Sequence, residues 1–578
     1  MTAMVRAPRS LATLAACLAL AAPAAAQTIP YGNPDAGGGG GNAAPANAGM
    51  SARPDAPAEE ARAPRARVNR LEVSPYIEAA QVVTAELSPG NDVVTYSVLA
   101  AGVDLAMRGR NNEAAVSLRY ERRIGYGKAR DGDTISGLAR AATTVVPGAL
   151  RLEAGALAAR SRVEGNGAAI ISPLTQGDAV TQTYAVYAGP SLATRVGDVQ
   201  VTGNYRIGYT KVESPDAVVT AAGAPPVDVF DDSVTHSATL RAAMRAGEGL
   251  PVGLAVSGGF YQEDISNLDQ RVRSLHARTD VTIPISLDVA LVGGIGLEDV
   301  EVSSRDAVRA PDGTPLIGSD GRYVTDKSAP RILSYDVEGL IWDAGVIWRP
   351  SRRTAFEAHV GRRYGSTSYY GSLAYAPNDR SALNVSVYDN ISGFGGQVNR
   401  ALAELPTDFE VIRNPLTGDT TGCVSSLENG GCLSGVLGSV RSSTFRARGV
   451  AASYARRMGR SLAAGISGGY DRRRYIAAPG TVLAVANGVV DENWWLAGYV
   501  TGRIDARSGF TVNGYVNWFE SGFALAGDGR AMGATASYNR NLTNKLSATM
   551  ALGIDGISRE LLDDIWTASV LVGVRYSF

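Results

Sequence analysis

The sequence predicts an all-β protein: a large antiparallel transmembrane β-barrel of about 22 strands (roughly 20–24), preceded by a disordered N-terminal segment. Three observations carry this. Segments of about ten residues alternate apolar and polar side chains. Tight polar turns alternate with mostly longer links along the chain. No stretch after the N-terminus is apolar enough for a membrane helix: the uncharged window Ile476 to Val490, for one, contains Pro479, two glycines and Asn487.

The last strand shows the alternation best. Trp566, Ala568, Val570, Val572, Val574, Tyr576 and Phe578 fall on one face, and Thr567, Ser569, Gly573, Arg575 and Ser577 on the other, with Leu571 the single exception. An apolar face with aromatics near both ends suits lipid and its interfaces, and the polar face suits a wet lumen. The pattern repeats at Val116–Glu121, Val201–Arg206 and Val512–Trp518. The terminal aromatics Tyr576 and Phe578 resemble the C-terminal signal read by the barrel assembly machinery, which makes that machinery and outer-membrane lipid the expected partners.

Parity extends the argument to the whole chain. Working back from Phe578, tight polar links fall at 539–545, 505–509, 456–461, 376–380, 350–353, 284–287, 246–249, 195–198, 147–148 and 108–112. Between them lie mostly longer ones, at about 163–179, 213–232, 303–329, 393–440 and 476–490, although 265–270 is short. With both chain ends on the periplasmic side, this gives an even strand count. The arginines of the inner turns (Arg349, Arg352, Arg353, Arg380, Arg456, Arg457, Arg460) keep those turns hydrated at the membrane face. A formal net charge of -1 offers nothing to nucleic acid.

The first 26 residues read as a secretory signal peptide. Arg6 and Arg9 precede an apolar core from Leu11 to Ala22, and Ala24-Ala25-Ala26 leads to a cut before Gln27. Leu14-Ala15-Ala16-Cys17 leaves a lipoprotein reading open, with a short apolar run before the cysteine. Residues 27–70, with glycines 37–41 and Pro54, Pro57 and Pro64 among charges, cannot bury enough apolar surface to offset ordering entropy and form a periplasmic linker. The barrel takes up 71–578. Without Cys17, two cysteines remain, Cys423 and Cys432, flanking Asn429-Gly430-Gly431. An even, closely spaced pair in an exported chain implies a disulfide stapling a loop. Two thiols with no histidine nearby do not make a zinc site.

The run Trp348-Arg349-Pro350-Ser351-Arg352-Arg353-Thr354, continuing to Gly361-Arg362-Arg363-Tyr364-Gly365, resembles the outer-membrane β-barrel family found alongside exopolysaccharide and exosortase-type sorting systems. The resemblance covers about twenty residues closely and implies a porin-like barrel, with no catalytic residues to carry over. Large outer-membrane proteins of alphaproteobacteria, which the Ala/Gly-rich signal region also resembles, can carry a preprotein-translocase auxiliary-subunit label. That subunit is a small protein with one membrane helix, which this chain does not resemble.

The candidate chemistry is sparse. Alternation places Arg119, Glu121, Arg206, Glu357, His359, Arg363 and Arg575 on polar faces, so the lumen lining mixes signs rather than forming a single-sign filter. His236, beside Asp231, Asp232, Ser233 and Ser237, is the one grouping that a rim hydrolase could use; His276 offers no such grouping. Asp312, Asp320 and Asp326 are spaced for Asp-Gly turns rather than for an EF-hand. No cofactor, metal site or catalytic residue is expected. A lumen of this width needs a plug, and the linker is too short to supply one. The loop from Ile391 to Val440, pinned by its cysteines, is the candidate to fold inward. The expectation is a pore for hydrophilic solutes or exported polysaccharide. The alternatives are a non-conducting surface anchor or receptor and, last, an outer-membrane hydrolase.

Overall fold

The computed structural model describes residues 70–578 apart from 130, 164–168, 171–179, 214–217, 220–225, 229–231, 379, 408, 419, 426–430, 433–442, 460, 524–526 and 561. The signal peptide (1–26) and all of the linker but Arg70 lie outside the described residues. Twenty-two long strands form one antiparallel sheet. The first seven are β1 (Arg70–Ser88), β2 (Val93–Arg108), β3 (Asn112–Tyr126), β4 (Gly132–Val146), β5 (Leu150–Val163), β6 (Val180–Val196) and β7 (Val199–Glu213). Next come β8 (Asp232–Met244), β9 (Gly253–Ile265), β10 (Gln270–Pro284), β11 (Val289–Ser304), β12 (Ile332–Ser351), β13 (Thr354–Arg363), β14 (Ser366–Asn378) and β15 (Ser381–Ser392). The last seven are β16 (Phe445–Met458), β17 (Leu462–Tyr475), β18 (Val490–Arg503), β19 (Ser508–Glu520), β20 (Gly529–Asn541), β21 (Leu546–Arg559) and β22 (Leu562–Ser577). Each pairs with its neighbours, and β1 pairs with β22 from Tyr76↔Ser577 to Ser88↔Trp566, so the sheet closes and leaves no edge.

All ten tight links read from the sequence fall between consecutive strands, from the β2–β3 link at 109–111 to the β20–β21 link at 542–545. Their side chains complete them: Asp505 accepts the Arg507 and Ser508 amides at 2.7 and 2.8 Å, an Asx arrangement that needs no partner strand. The outer links are less uniform. β13 and β14 are joined by Tyr364-Gly365 alone, with φ of 52° and 66°, the left-handed pair that a two-residue hairpin requires. All the long strands but β13, which has 10 residues, also exceed about ten, reaching 20 in β12. Backbone ladders continue past the lipid into water, where neither face need be apolar and alternation fades.

Alternation fixes the two faces. In β22, Val572 and Val574 are 58% and 46% exposed, whereas Thr567, Ser569 and Leu571 are buried. Large apolar side chains are exposed on one face of strand after strand, as with Tyr205, Ile207 and Tyr209 on β7 and Leu291, Ile295 and Leu297 on β11. Trp342, Tyr369 and Trp494 mark the outer ends of that face, and Trp348, Tyr375, Tyr538 and Tyr576 the inner ends, as interfacial girdles do. No described helix is long and apolar enough to cross a membrane; the strands do the crossing.

Candidate functional site

The long link after β15 turns back into the barrel. It begins with a helix, α1 (Phe394–Glu404), whose Phe394, Val398 and Leu402 recur every four residues on one buried face, and it stops before Pro406. That face packs on Leu138, Leu157, Ala185, Tyr187 and Val212 of β4–β7. The N-terminus of α1 is seated on Glu263 of β9, which is fully buried. Glu263 accepts the Gly393 amide at 2.6 Å, the Gly396 amide at 2.9 Å and the Tyr261 hydroxyl at 2.6 Å. The amides at a helix N-terminus have no intrahelical partner, so a wall carboxyl here takes the place of a capping side chain. Glycine is required for this fit, because a Cβ at Gly396 would collide with the Tyr261 hydroxyl.

Beyond the helix, the segment crosses the barrel. Asn399 donates to Thr210 at 3.0 Å, and Arg140 donates to the carbonyls of Ala403 (2.7 Å) and Leu405. Thr407 reaches Glu113 at 2.8 Å; Arg413 reaches Ser136 and Ser117, each at 2.9 Å. Leu416 shares a buried cluster with Val98 of β2, Ala551 of β21 and Leu571 of β22, and the Arg413 carbonyl accepts from Asn513 of β19 at 3.4 Å. A segment that touches β9, β4, β2, β22 and β19 in turn can only lie inside the cylinder. The expectation that this link folds inward is therefore met by the described part of it, and Leu571, the exception to alternation in β22, is apolar because it faces Leu416. Short strands Glu410–Arg413, Thr420–Ser425 and Gly431–Cys432 continue the segment and place Cys423 directly opposite Cys432. Antiparallel partners have Cα atoms about 4.5–5.5 Å apart, within a disulfide's reach.

The charges named from the sequence each meet an opposite charge. Arg119 pairs with Glu78 (2.5 Å) and Glu121 (3.3 Å), and Glu121 also pairs with Arg123 (2.8 Å). Arg206 and Arg140 share Glu153, Arg363 meets Glu298 at 3.4 Å, and Arg575 meets Asp104 at 2.9 Å. The longest chain runs Arg241–Asp280–Arg278–Asp343–His359–Glu357, with His359 bonded on both ring nitrogens (3.1 and 2.9 Å) and stacked on Tyr370. His276, which the sequence left as an ordinary strand residue, is buried beside Arg363 at 3.3 Å. At the end of α1, burial lifts Glu404 to about 8 against the pull of Arg400, Arg206 and Arg140.

At the outer rim, the described residues grouped around His236 fall on both faces of β8. His236 shares the outward face with Tyr205, whose hydroxyl lies 2.8 Å from Nδ1, while Ser233 and Thr235 point the other way, toward α1. Asp231 lies outside the described residues. In the outer link 305–331, Asp312, Asp320 and Asp326 accept the amides of Thr314, Arg322 and Ser328 in Asx turns, as Asp-Gly spacing predicts. This link forms a hairpin that reaches across the mouth. Asp228, between β7 and β8, holds its tip by the Gly321 carbonyl (2.8 Å) and Arg322 (3.0 Å). At its base Asp306 accepts the Val482 amide (2.8 Å) between β17 and β18, ten strands away in a ring of 22.

A closed 22-strand barrel with an apolar, aromatic-girdled outer face and a polar interior defines the class: this chain is an outer-membrane-type β-barrel. No family model matches the chain, and no curated protein does. Among solved structures it is similar to the FrpB iron transporter of Neisseria meningitidis (12% identity, 87% of this chain and 82% of that one, TM-score 0.42). It is also similar to the ferric-catecholate import receptor Fiu of E. coli K12 (9%, 87% and 82%, 0.40) and to OccK5 (OpdH) of Pseudomonas aeruginosa (9%, 88% and 98%, 0.27). At such identities and superpositions the likeness bears on neither substrate nor mechanism.

Proposed function

We propose that the protein is an outer-membrane pore for hydrophilic solutes, an exported polysaccharide chain included, constricted by its own 391–440 link. The observation that supports this best is the seating of that link on Glu263, Arg140 and Leu571 inside a wall whose charges are mutually paired. Paired charges keep the lining wet without favouring one sign of ion. In this reading the N-terminal linker is periplasmic, Tyr576 and Phe578 present the assembly signal, and a Cys423–Cys432 disulfide stiffens the constriction.

The hairpin across the mouth favours a second reading, a non-conducting surface protein whose outer links bind a partner. Planar-bilayer recordings of the refolded chain separate the two. Stepwise conductance that rises when both cysteines are changed to serine supports the constricted pore; a silent bilayer for wild type and variant alike overturns it.

A further inference from the structure

Most of the wall is lined by ion pairs, but one sector is not. On four neighbouring strands, residues 462–470, 494–502, 509–519 and 531–539 contain no Asp, Glu, Lys or Arg. The outward residues there are lipid-type, with Trp494, Leu496, Val512 and Trp518 exposed. The opposite parity therefore faces inward, and it alternates rings with amides and hydroxyls. The register sets Asn493 opposite Phe519, Trp495 opposite Asn517, Ala497 opposite Tyr515, Tyr499 opposite Asn513 and Thr501 opposite Thr511. Successive rows lie about 6.8 Å apart along a strand, so the ladder descends the wall from near the mouth toward the inner turns.

The rings lie flat against that wall. A Cβ at Gly469 would meet the Trp495 indole, one at Gly465 the Tyr499 ring and one at Gly533 the Tyr515 ring. Glycines opposite each ring let it lie down on the sheet and turn a face to the lumen. Between the rings are polar atoms with no work inside the protein. Asn493 is 2% exposed, and both its amide atoms lack a partner among the described residues, as do Asn517 Oδ1 and the Tyr515 hydroxyl. A buried polar atom without a partner is costly, and four on adjacent strands hold unused hydrogen-bonding capacity that a ligand's hydroxyls would take up once these side chains rotate toward the lumen.

We infer that this sector is a binding ladder for neutral oligosaccharide chains. The C–H faces of a sugar ring stack on an aromatic face, its hydroxyls match amides and phenols in donor and acceptor character, and an uncharged wall asks for no charge in return. An ion or an acidic glycan would gain more on the arginine-bearing strands. The inference rests on the pore reading for access to the lumen, but it is tested by binding rather than by flux.

The test is equilibrium titration of the detergent-refolded full chain with maltohexaose and isomaltohexaose as neutral probes and hexagalacturonate as the acidic one, read by calorimetry. Saturable binding of a neutral probe is expected, weakened roughly three- to tenfold in Trp495→Ala and in Tyr499→Ala. Trp494→Ala, on the outward face beside Trp495, should bind as wild type. Trp495→Phe, which keeps a ring, should recover most of the loss and guards against a merely misfolded alanine variant. Absence of saturable binding by both neutral probes, tighter binding of the acidic one, or equal affinities in Trp495→Ala and Trp494→Ala would each overturn the inference. A protein that conducts without binding sugar removes the ladder and leaves the pore; one that binds sugar in a silent bilayer does the reverse.

Discussion

If the inserted link is held by Glu263, replacing that residue with alanine should unseat α1 without disturbing the barrel. The side chain accepts three hydrogen bonds, two of them from the otherwise unpartnered amides of Gly393 and Gly396. Each such bond contributes about 1 kcal/mol net, and a lost cap costs about 0.5–2 kcal/mol; with lumen water partly replacing the carboxyl, the seat weakens by roughly 2–4 kcal/mol. At about 1.4 kcal/mol per tenfold, the ratio of seated to released link falls by roughly 30- to 1000-fold. Single-channel recording should then show a marked rise in open probability in Glu263→Ala. Limited proteolysis from the outer side of proteoliposomes should cut within 405–445 faster than in wild type. Glu263→Gln keeps one acceptor oxygen and should fall between the two. The barrel ladder does not involve the Glu263 side chain, so heat-modifiable mobility should stay that of the folded protein. Unchanged open probability together with unchanged proteolysis would sink the idea that Glu263 seats the link.

Glu404 makes the same seat pH-dependent. Its pKa is lifted from an ordinary 4.5 to about 8, so the inserted state keeps a proton that the released link gives up, and insertion is firmest below about 4.5 and weakens as pH rises toward 8. Open probability should climb between about pH 5 and about pH 8.5, and Glu404→Gln should flatten that profile. Non-reducing peptide mapping should recover residues 423 and 432 in one disulfide-linked species, and finding both thiols free in protein exported to the outer membrane would remove the staple. Leu571→Ala should cost about 2–4 kcal/mol by opening a gap against Leu416, lowering the temperature of heat modification more than outward Val572→Ala does. Phe578→Ser should cut the yield of assembled barrel in cells while leaving refolding in detergent intact, since the ring is exposed and stands edge-on to Tyr576 at the end of the last strand.

What the sequence made legible was whatever is written locally. Turn residues such as Asp505 fix their own backbone within a few residues, and alternation needs only a strand's own side chains. The seat of α1 was not written locally: Glu263 and Gly393 are 130 positions apart and meet only because β9 and the link after β15 share a lumen. The helix itself left a signal in Phe394, Val398, Leu402 and the following Pro406, but inside a Gly-rich link that spacing is easily passed over. A better signal lay in the strands. A polar inner face should carry few large apolar residues, yet Val82, Val98, Leu138, Leu157, Val212 and Leu571 all sit on it. They belong to β1, β2, β4, β5, β7 and β22, the part of the wall that the link covers. A second set, Val272, Val300 and Val302 on β10 and β11, lies with Ile391, where the link leaves β15. Inward apolar residues in a barrel too wide to fill its own lumen need something to cover them, so their positions around the ring trace the path of the inserted segment. By the same reasoning the uncharged sector of β17–β20, where the inner face carries rings and amides in place of aliphatics, calls for an occupant beyond the inserted link, which reaches it at Asn513.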